Sequence, residues 1–454
     1  MAYKLWLDLF TIDGWDVELA IVNKRRQHPV GQGFFHSADI YVNGRPSVSY
    51  VYDCGSMERY ASQRKLQICQ YLLSRSSPSK LDILIISHVH SDHISGVEQL
   101  LSREEGLQVD TIVLPLLNQI DRLIAFARSA SEDWPSARSS FYKSFVTDPV
   151  DALSRFRPRQ IIFVEAGNRD IGAPDGGDRP LEPPDGGPFS GPDDTEDGPT
   201  WKLVGRGTIR HMDGGPGRLD SSATQQITQS LIPDNLAMLI PSPHGDWLLA
   251  PFVDPTVVSH RRLFRNELAK QRGIPQRQIE AWLQATANVK SLLSGNAKCL
   301  KAAYKAVSKD INITSMCLYS GPTRRRGNSS RDSYIGLFGS IYAYANGTTR
   351  LAWLGTGDAA LKHSRRQSDF LRHYGELLRE VTTLTLPHHG SDHNFGAELL
   401  AGTDPRVCVA AADRFSNWNH PGSRAVQAVC SHPAVMHVVT SSPSTRAEEV
   451  AALV

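Results

Sequence analysis

Three histidines and an aspartate lie within six positions in the stretch ISHVHSDHISG, residues 86–96. Neutral imidazole nitrogens and carboxylate oxygens are common ligands of hydrolytic metal ions, and zinc accepts them at about 2.0–2.2 Å. His88 and His90 are two positions apart in an extended segment, so both side chains can face one side. Asp92 and His93 are adjacent, so they diverge from that pair and can serve a second ion. The spacing predicts two metal ions that share a water molecule.

The elements that must position this cluster are visible on either side of it. The run LDILIIS at residues 81–87 is typical of a strand covered on both faces. A helical spacing over residues 94–106 and a second strand pattern over residues 109–117 follow. This order predicts a βαβ unit with the cluster at the carboxyl end of its first strand, the edge where ligand sites of α/β sheets gather.

Bulk properties limit the class of protein. The chain has 454 residues, of which 40% are hydrophobic, and a net charge of +2, which neither requires nor excludes nucleic acid. The first residues do not resemble a signal peptide, and no stretch reaches the roughly 18 apolar residues of a membrane span. The six cysteines are scattered without a C-x-x-C pair, which indicates reduced thiols. We expect a soluble cytoplasmic protein that does not bind a membrane.

Composition divides the rest of the chain. Residues 166–200 are dominated by Gly, Pro and Asp, which predicts a flexible acidic loop, and residues 256–309 carry only helical patterns, which predicts a helical insertion. Residues 334–359 predict a hairpin around the Asn-Gly pair at 346–347. Strand and helix patterns alternate towards the C-terminus. We expect one domain over residues 1–454.

At this point the residues resemble a known family. H-x-H-x-D-H after an apolar strand is the signature of the metallo-β-lactamase fold. Other segments resemble, in the same order, those of the soluble hydrolase domain of the ComEC/Rec2 competence family and its stand-alone relatives: VGQGFFHSADIYV (30–42), YVYDCGS (50–56), LGTGDA (354–359), LTLPHHGSDHN (384–394) and DRFSNWNHP (413–421). Phe34 stands where that family has an acidic residue. The resemblance implies an α/β fold, the αββα sandwich of metallo-β-lactamases, with a helical insertion and a disordered acidic loop.

The resemblance also implies a ligand set. One metal would be bound by His88 and His90, the second by Asp92 and His93, and both would be bridged by Asp358. One histidine of the adjacent pair His388 and His389 would complete the second site, and we expect it to be His388, at the end of its strand.

Catalytic roles follow from the same comparison. Besides Asp92, His389 would face the phosphate or leaving group, and His420 would line the pocket from the opposite side. Asp53 would support the ligand loop by fixing the tautomer of a histidine. Many metallo-β-lactamase enzymes have a third histidine on the first metal. His211 and His244 lie in the right interval, but neither has a recognisable context, and a water or substrate oxygen can take that place.

The reaction class follows from the two metal ions, expected to be zinc, with manganese as an alternative. Two such ions lower the pKa of a bound water from about 15.7 to about 7, which suits phosphodiesters, β-lactams, thioesters and lactones. We expect a phosphodiesterase or nuclease that uses a metal-bound hydroxide. Basic clusters at residues 324–326 and 365–366, and the aromatic side chains of Phe415 and Trp418, are candidates for nucleic-acid contacts.

Two alternatives remain open from the sequence. The first is a hydrolase of a small molecule, such as a phosphoester, a cyclic nucleotide or a lactone. The second is a subunit of a multi-protein system, such as anti-phage defence, that docks a protein partner through residues 256–309. A large exposed apolar patch on that insertion would favour the second.

Overall fold

The computed structural model describes residues 21–75, 80–102, 106–178, 180–181, 190–192, 199–212, 227–243, 245–255, 257–295, 297–307, 314–323, 333–338, 343–344, 350–416 and 418–453. The strands in these ranges are β1 (Ile21–Gln27), β2 (Phe35–Val42), β3 (Arg45–Cys54), β4 (Lys80–Ile85), β5 (Gln108–Pro115), β6 (Gln160–Glu165), β7 (Lys202–Gly205), β8 (Arg210–His211), β9 (Thr228–Pro233), β10 (Leu236–Ile240), β11 (Trp247–Asp254), β12 (Ser315–Pro322), β13 (Ser333–Phe338), β14 (Ala343–Tyr344), β15 (Ala352–Gly355), β16 (Val381–Thr385), β17 (Val407–Ala411), β18 (Val435–Val439) and β19 (Ala447–Leu453).

The α-helices are α1 (Ala61–Leu73), α2 (Ser91–Ile94), α3 (Val97–Leu100), α4 (Gln119–Glu132), α5 (Trp134–Ala137), α6 (Ser140–Thr147), α7 (Pro149–Ser154), α8 (Val258–Arg272), α9 (Ile279–Gln284), α10 (Thr286–Leu293), α11 (Lys298–Ala306), α12 (Ser364–Tyr374), α13 (Glu398–Thr403) and α14 (Ser423–Cys430). Short 3₁₀ turns lie at Glu58–Tyr60, Gln276–Gln278, Gly375–Glu380, Pro387–Gly390 and Pro443–Thr445.

The strands form two sheets. The first has the order β14-β13-β19-β1-β2-β3-β4-β5-β6-β9-β8, and the second the order β18-β17-β16-β15-β12-β11-β10-β7. In the first sheet β3, β4, β5, β6 and β9 run parallel. The predicted βαβ unit is therefore present, with β4 and β5 as its parallel strands. In the second sheet β15, β16, β17 and β18 run parallel, so their carboxyl ends share one edge.

Three apolar layers hold the sheets and helices together. The layer between the two sheets contains Tyr50, Tyr52, Trp247 and Trp353, all at most 2% exposed. A second layer lies under the helices on the outer face of the first sheet, including α1, α4, α6, α8 and α11, and a third lies under α12, α13 and α14 on the second sheet. The predicted arrangement of two sheets between two layers of helices is confirmed.

The helical prediction for residues 256–309 agrees with helices α8 to α11, which fall within it. Helix α11 packs against α4 and α8. In this part of the chain Lys301 Nζ lies 4.3 Å from the centre of the Trp134 ring, close to the end of α4. The insertion therefore covers the first sheet beside the segment that follows β5.

The acidic segment 166–200 is described in part. Residues 167–173 contact the turn between β9 and β10 and helix α12. In the turn, Asp234 accepts from the backbone N–H of Gly167 at 2.7 Å and from Arg169 at 2.8 Å. On α12, the carbonyl oxygen of His373 accepts from the backbone N–H of Ala173 at 2.7 Å. Residues 179, 182–189 and 193–198 lie outside the described residues. The flexibility of the loop and the single-domain organisation stay predictions.

The predicted hairpin over residues 334–359 is wrong in its pairing. Strand β14 pairs with β13 in the first sheet, whereas β15 pairs with β12 and β16 in the second. The Asn-Gly pair at 346–347 lies outside the described residues. The strands on its two sides belong to different sheets, because a local turn signal does not select between the partner strands that the two sheets offer.

No helix in the described ranges combines the length and apolar character needed to cross a bilayer. A cytoplasmic location stays a prediction.

Candidate metal centre

The first half of the site follows strand β4. His88 and His90 lie in the loop after the strand, and Asp92 and His93 lie on the short helix α2. All four side chains are at most 1% exposed. The backbone turns into α2 directly after His90, so the side chains of the motif converge instead of alternating between two faces.

Two glycines let α2 pack against the ends of β2 and β3. Gly33 has a φ of +154°, and a Cβ atom there would lie 2.4 Å from Ser56 Cα and 2.9 Å from the carbonyl oxygen of Asp92. A Cβ atom on Gly55 would lie 2.6 Å from that same oxygen. These approaches are shorter than a side-chain carbon tolerates. The glycines of VGQG and DCG are therefore required for the backbone of the metal-binding motif to sit where it does.

The second half of the site comes from the parallel strands of the second sheet. Asp358 follows β15, the pair His388 and His389 follows β16, and His420 lies in the loop after β17. Because these neighbouring strands are parallel, their following loops lie side by side at one sheet edge. This edge places the four residues opposite helix α2.

His388 and His389 have left-handed backbones. Their φ and ψ angles are 50° and 55° for His388 and 58° and 22° for His389, in a region that non-glycine residues rarely adopt. Each costs about 1–3 kcal/mol unless other contacts over-determine it. One such contact is the 2.7 Å hydrogen bond from His389 Nδ1 to the carbonyl oxygen of Ala411. It leaves His389 Nε2 facing Asp92 Oδ2 at 3.1 Å.

Asp358 lies between the two halves. Its Oδ2 is 3.3 Å from His88 Nε2 and 3.5 Å from His388 Nε2. Its Oδ1 is 3.4 Å from His93 Nε2 and 4.0 Å from His389 Nε2. Each carboxylate oxygen therefore meets imidazoles from both halves of the chain, which is the arrangement that a bridging ligand requires.

Asp53 supports the cluster from behind. Its Oδ2 accepts a hydrogen bond from His93 Nδ1 at 2.7 Å and from the Ser87 hydroxyl at 2.6 Å, and its Oδ1 accepts from the Ser87 backbone N–H at 2.7 Å. The hydrogen bond to Asp53 fixes a proton on Nδ1, so that Nε2, which faces Asp92 and Asp358, is the atom that a metal ion would bind. This is the supporting position expected for Asp53 from the sequence.

The electrostatics of the cluster favour ionised carboxylates. Burial alone would raise the pKa of Asp92, but the charges of His90 and His93 hold it well below its usual range. Burial would also raise the pKa of Asp358, but the charges of His388 and His88 hold it well below its usual range.

Two of the three histidines of this motif, His90 and His93, respond to the same carboxylates. Burial opposes protonation of His93, but the charges of Asp92, Asp53 and Asp358 raise its pKa well above the usual value. Against burial, Asp92 likewise raises the pKa of His90 to about 9. The cluster therefore needs compensating positive charge, which protons on imidazoles or divalent cations supply.

Several buried polar atoms of the cluster make no aligned hydrogen bond among the described residues, although His90 Nδ1 lies 2.5 Å from Asp92 Oδ1 and His88 Nε2 lies 3.3 Å from Asp358 Oδ2. They are His88 Nε2, both ring nitrogens of His90, Asp92 Oδ1, His93 Nε2 and both carboxylate oxygens of Asp358. Unpaired buried polar groups cost about 1–3 kcal/mol each, so this concentration in one place needs an explanation. Imidazole and carboxylate atoms are the donor set of divalent metal ions, and the residues fit such ions.

Three overlapping groups of candidate ligands have their atoms within 4.8 Å of one another. They are His88, His90 and Asp92; Asp92, His93 and His389; and Asp53, His88 and His93. The first group joins the predicted pair His88 and His90 to Asp92, which was predicted for the second ion. The second group contains Asp92 and His93, with His389 in the place expected for His388.

His388 makes different contacts. Its Nδ1 donates to Asn394 Oδ1 at 2.9 Å, because the Asn394 amide nitrogen is already bound to the carbonyl oxygen of Asp358 at 3.0 Å. Its Nε2 accepts from Arg128 Nη2 at 2.7 Å. The lone pair that would bind a metal ion is therefore used by Arg128. The choice of ligand stays a prediction, and these contacts favour His389.

His420 lies over this pair, with ring centres 5.5 Å from His388 and 6.1 Å from His389. Gln32 Nε2 lies 3.2 Å from His420 Nδ1, and the Gln32 Oε1 atom accepts from the backbone N–H of Asp413 at 3.3 Å. The amide therefore donates to Nδ1, which places the remaining proton of neutral His420 on Nε2.

Four residues near the cluster were not predicted from the sequence to belong to the site. Arg128 and Glu132 come from α4, a segment without a recognised motif, and Glu132 Oε2 lies 3.4 Å from His90 Nε2. Gln32 is part of VGQG, but its contact with His420 crosses from one sheet to the other. Phe34, where the resembling family has an acidic residue, lies parallel to the His93 ring at a centre distance of 6.0 Å.

The other sequence candidates lie elsewhere. His211 is exposed on β8 at the edge of the first sheet, and His244 lies outside the described residues. Residues 324–326 also lie outside them. Arg366 pairs with the buried Asp254 at 2.7 Å, so its charge is already neutralised.

The two aromatic candidates for nucleic-acid contacts pack together beside the site. Phe415 is buried against Met57 and Tyr60, and Trp418 packs on that group with its ring centre 5.3 Å from His420. Their positions are explained by packing.

Comparison with known families agrees with the geometry. Residues 35–105 match the family model of the metallo-beta-lactamase superfamily. This range contains Asp53 and the complete first half of the cluster. The chain matches no curated protein. The αββα sandwich and the position of the cluster at the strand ends are those of the metallo-β-lactamase fold.

Proposed function

We propose that the protein is a metal-dependent hydrolase that cleaves phosphodiesters. The observation that carries the proposal is the convergence of buried, unpaired ligand atoms from His88, His90, Asp92, His93 and Asp358. The match of residues 35–105 to a superfamily of largely hydrolytic enzymes supports the reaction class. The finer resemblance to the soluble domain of the ComEC/Rec2 family rests on the sequence segments alone.

The residues that would hold two divalent ions are His88, His90, Asp92, His93, Asp358 and His389. When bound, such ions activate water and stabilise negative charge that develops on the substrate. We propose zinc, with manganese as the alternative that the same ligands accept.

The chain's own residues prepare the reaction. Asp53 fixes the ring of His93, and the Ala411 carbonyl fixes that of His389. Gln32 holds Nδ1 of His420, so the Nε2–H of this neutral ring can donate a hydrogen bond to an oxygen of the substrate. Burial of the cluster excludes bulk water and strengthens each of these interactions.

Two features bear on the size of the substrate. Lys298, Lys301 and Lys305 recur on one side of α11 at helical spacing, which favours a polyanion such as nucleic acid. The depth of the cluster, where Asp358 is 5% exposed, favours a small phosphoester or cyclic nucleotide. A lactone is the uncharged alternative.

A protein-binding role rests on the insertion. Val258 is 74% and Leu263 48% exposed on α8, which are the large apolar residues exposed there within the described ranges. They lie among charged side chains, so they form a small docking surface at most. Membership in a multi-protein system such as anti-phage defence stays a proposal.

Metal analysis and a substrate panel test the function. Purified wild-type protein should contain about two transition-metal ions per chain, and His90→Ala should lose at least one, whereas His211→Ala, at an exposed histidine, should lose none. Bis-p-nitrophenyl phosphate, single-stranded DNA, duplex DNA, a cyclic nucleotide and a lactone are then compared in wild type and Asp358→Ala. A metal content below one per chain that is the same in wild type and His90→Ala would refute the proposal.

A further inference from the structure

Helix α4 brings a charged pair into the wall of the metal centre. Arg128 and Glu132 are one helical turn apart, and Arg128 Nε lies 3.2 Å from each oxygen of the Glu132 carboxylate. The Arg128 side chain is only 9% exposed. Neither residue belongs to a recognised motif, and the proposed function described above gives neither one a role.

The other side of the Arg128 guanidinium reaches the second half of the site. Nη2 donates to Nε2 of His388, and the same His388 nitrogen lies 3.5 Å from Asp358 Oδ2. A single imidazole therefore separates the guanidinium from the carboxylate that lies at the centre of the cluster. Asn394 holds this imidazole from behind through Nδ1.

The guanidinium retains unused donors. An arginine has five N–H groups, of which the Nε–H faces Glu132 and one Nη2–H faces His388. The guanidinium contacts with Glu132 and His388 use Nε and one hydrogen of Nη2, which leaves Nη1 and the second hydrogen of Nη2 for a ligand. The planar edge formed by these two nitrogens matches two oxygens of a phosphate.

The cost of burial supports a ligand at this edge. Removing a guanidinium from water costs several kcal/mol, and this cost is offset only when its hydrogen-bonding groups are satisfied. Glu132 is one acceptor, but its carboxylate also lies beside His90. A neutral imidazole is a weaker acceptor than an anion, so an anion on the remaining donors would add charge-assisted hydrogen bonds.

We infer that Arg128 binds the non-bridging oxygens of a substrate phosphate beside the metal centre. This inference rests on the proposed function and assigns the residue that recognises the phosphate, because a lactone or a neutral ester offers no anionic oxygen pair to the guanidinium. Glu132 and His388 are positioning residues, since they fix the plane of the guanidinium from two sides.

Binding of inorganic phosphate measures this site directly. Isothermal titration of the zinc-loaded full chain compares wild type with Arg128→Gln, Arg128→Lys and the control Arg138→Gln, at an exposed arginine just beyond α5. We expect Arg128→Gln to weaken phosphate binding about 10- to 100-fold, because a hydrogen bond to a charged group contributes about 1.5–3 kcal/mol. Arg128→Lys keeps the charge but not the planar fork, so we expect a loss of about 3- to 10-fold. Arg138→Gln should change the affinity less than about twofold.

Kinetics separate phosphate binding from a structural role. For bis-p-nitrophenyl phosphate we expect kcat/KM of Arg128→Gln to fall about 10- to 100-fold. A large part of this fall should come from an increase in KM. For the neutral ester p-nitrophenyl acetate the fall should stay below about threefold, because that substrate has no anionic oxygen to lose. Zinc content is measured in every variant.

Each outcome decides one question. Unchanged phosphate affinity in Arg128→Gln, or equal kinetic losses on the anionic and neutral esters, would overturn the inference. If Arg128→Gln does not fold or loses zinc, Arg128→Lys decides instead. An Arg128→Lys variant that binds phosphate as tightly as the wild type would also overturn the inference. If wild type hydrolyses none of the substrates while phosphate binding still depends on Arg128, the proposed function fails and the anion site stands.

Discussion

Two sets of buried histidines occur in this protein, and they differ in their neighbours rather than in their burial. His28, His36 and His373 are at most 2% exposed, as deeply buried as His88 and His90. His28 contacts the Ser37 hydroxyl at 2.8 Å, and His373 contacts the carbonyl oxygen of Pro251 at 2.9 Å. His36 lies flat on Trp353 at a ring distance of 4.0 Å, and neither of its nitrogens has a partner in the described part of the chain.

The pKa values follow the neighbours. Burial, reinforced by nearby arginines, lowers the pKa of His28 and His36 well below the usual value, and burial also lowers that of His373. At the metal centre, carboxylates overcome burial and raise the pKa of His90 and His93, whereas burial and the charge of His93 lower that of His88. The carboxylates close to the ring nitrogens, rather than burial, therefore distinguish this set of histidines from the other.

The largest effect should come from removing a histidine of the carboxylate-rich set. We expect His90→Ala to lose metal and to reduce phosphodiester hydrolysis by more than about 100-fold, since even residues that only support ligands cost 10- to 100-fold. His36→Phe, at an equally buried histidine, should keep the full metal content. Metal analysis and kinetics on both variants check this, and a full metal content in His90→Ala would break the distinction between the two sets.

The next effect separates the adjacent histidines of the second half-site. His389 lies in a group of candidate ligands, whereas the Nε2 lone pair of His388 is occupied by Arg128. We expect His389→Ala to weaken metal binding by about 100-fold and His388→Ala by less than about 10-fold. Competition with a chromophoric chelator measures both affinities. The reverse order would show that His388 is the ligand, as the sequence alone suggested.

A smaller effect is expected from the carboxylate behind the ligands. Asp53→Asn keeps the shape but loses the charge that fixes His93, so metal affinity should fall about 10- to 100-fold. The control is Asp82→Asn on β4, where the carboxylate binds the backbone and hydroxyl of Ser49 instead of an imidazole. Asp82→Asn should leave metal affinity unchanged in the same chelator assay, even if it lowers the free energy of unfolding.

The buried histidines that have no carboxylate close to the ring should make the free energy of unfolding depend on pH. Because the pKa of His36 is lower in the folded than in the unfolded chain, the unfolded chain binds the extra proton, and stability falls as pH drops below about 6.5. At pH 5.5 this histidine costs about 1.4 kcal/mol relative to pH 7.5. Urea unfolding with a chelator present should show that His36→Phe reduces the loss between these pH values by that amount. An identical pH dependence in wild type and variant would contradict the assignment.

The smallest expected effect has the opposite sign to the others. At pH 7.5, His36→Phe removes two unpaired buried nitrogens and keeps an aromatic ring on Trp353. We expect the free energy of unfolding to rise by about 1 kcal/mol. The same urea titrations measure it, and a clear destabilisation would mean that the His36 nitrogens make a favourable interaction in solution.

The sequence predicts the local half of the site better than the distant half. His88, His90, Asp92 and His93 are close in the chain, so their spacing already indicates a metal cluster. Asp358 and the pair at 388–389 were placed through the family resemblance, which gives their order but not which imidazole faces the metal. That choice depends on left-handed backbones and on the contact with Ala411, neither of which leaves a pattern in the sequence.

The contacts that no sequence pattern indicated all join distant elements. Arg128 and Glu132 have the ordinary spacing of an ion pair on an exposed helix, and only the packing of α4 brings them to His388 and His90. The hairpin at 334–359 failed for the same reason, since a turn signal is local and the choice between two sheets is not. Fold class and layer order were predictable because they depend on the periodicity of apolar residues.

Strand β19 sets the order in which the molecule can be completed during synthesis. It pairs with β1 on one side and β13 on the other, inside the first sheet. Strand β1 is made early, but its partner Ala447–Leu453 emerges more than 400 residues later, which takes roughly 20–90 s at about 5–20 residues per second. During that time one edge of β1 is open, and such edges invite pairing with other chains. The nascent protein is therefore expected to depend on chaperones until β19 arrives.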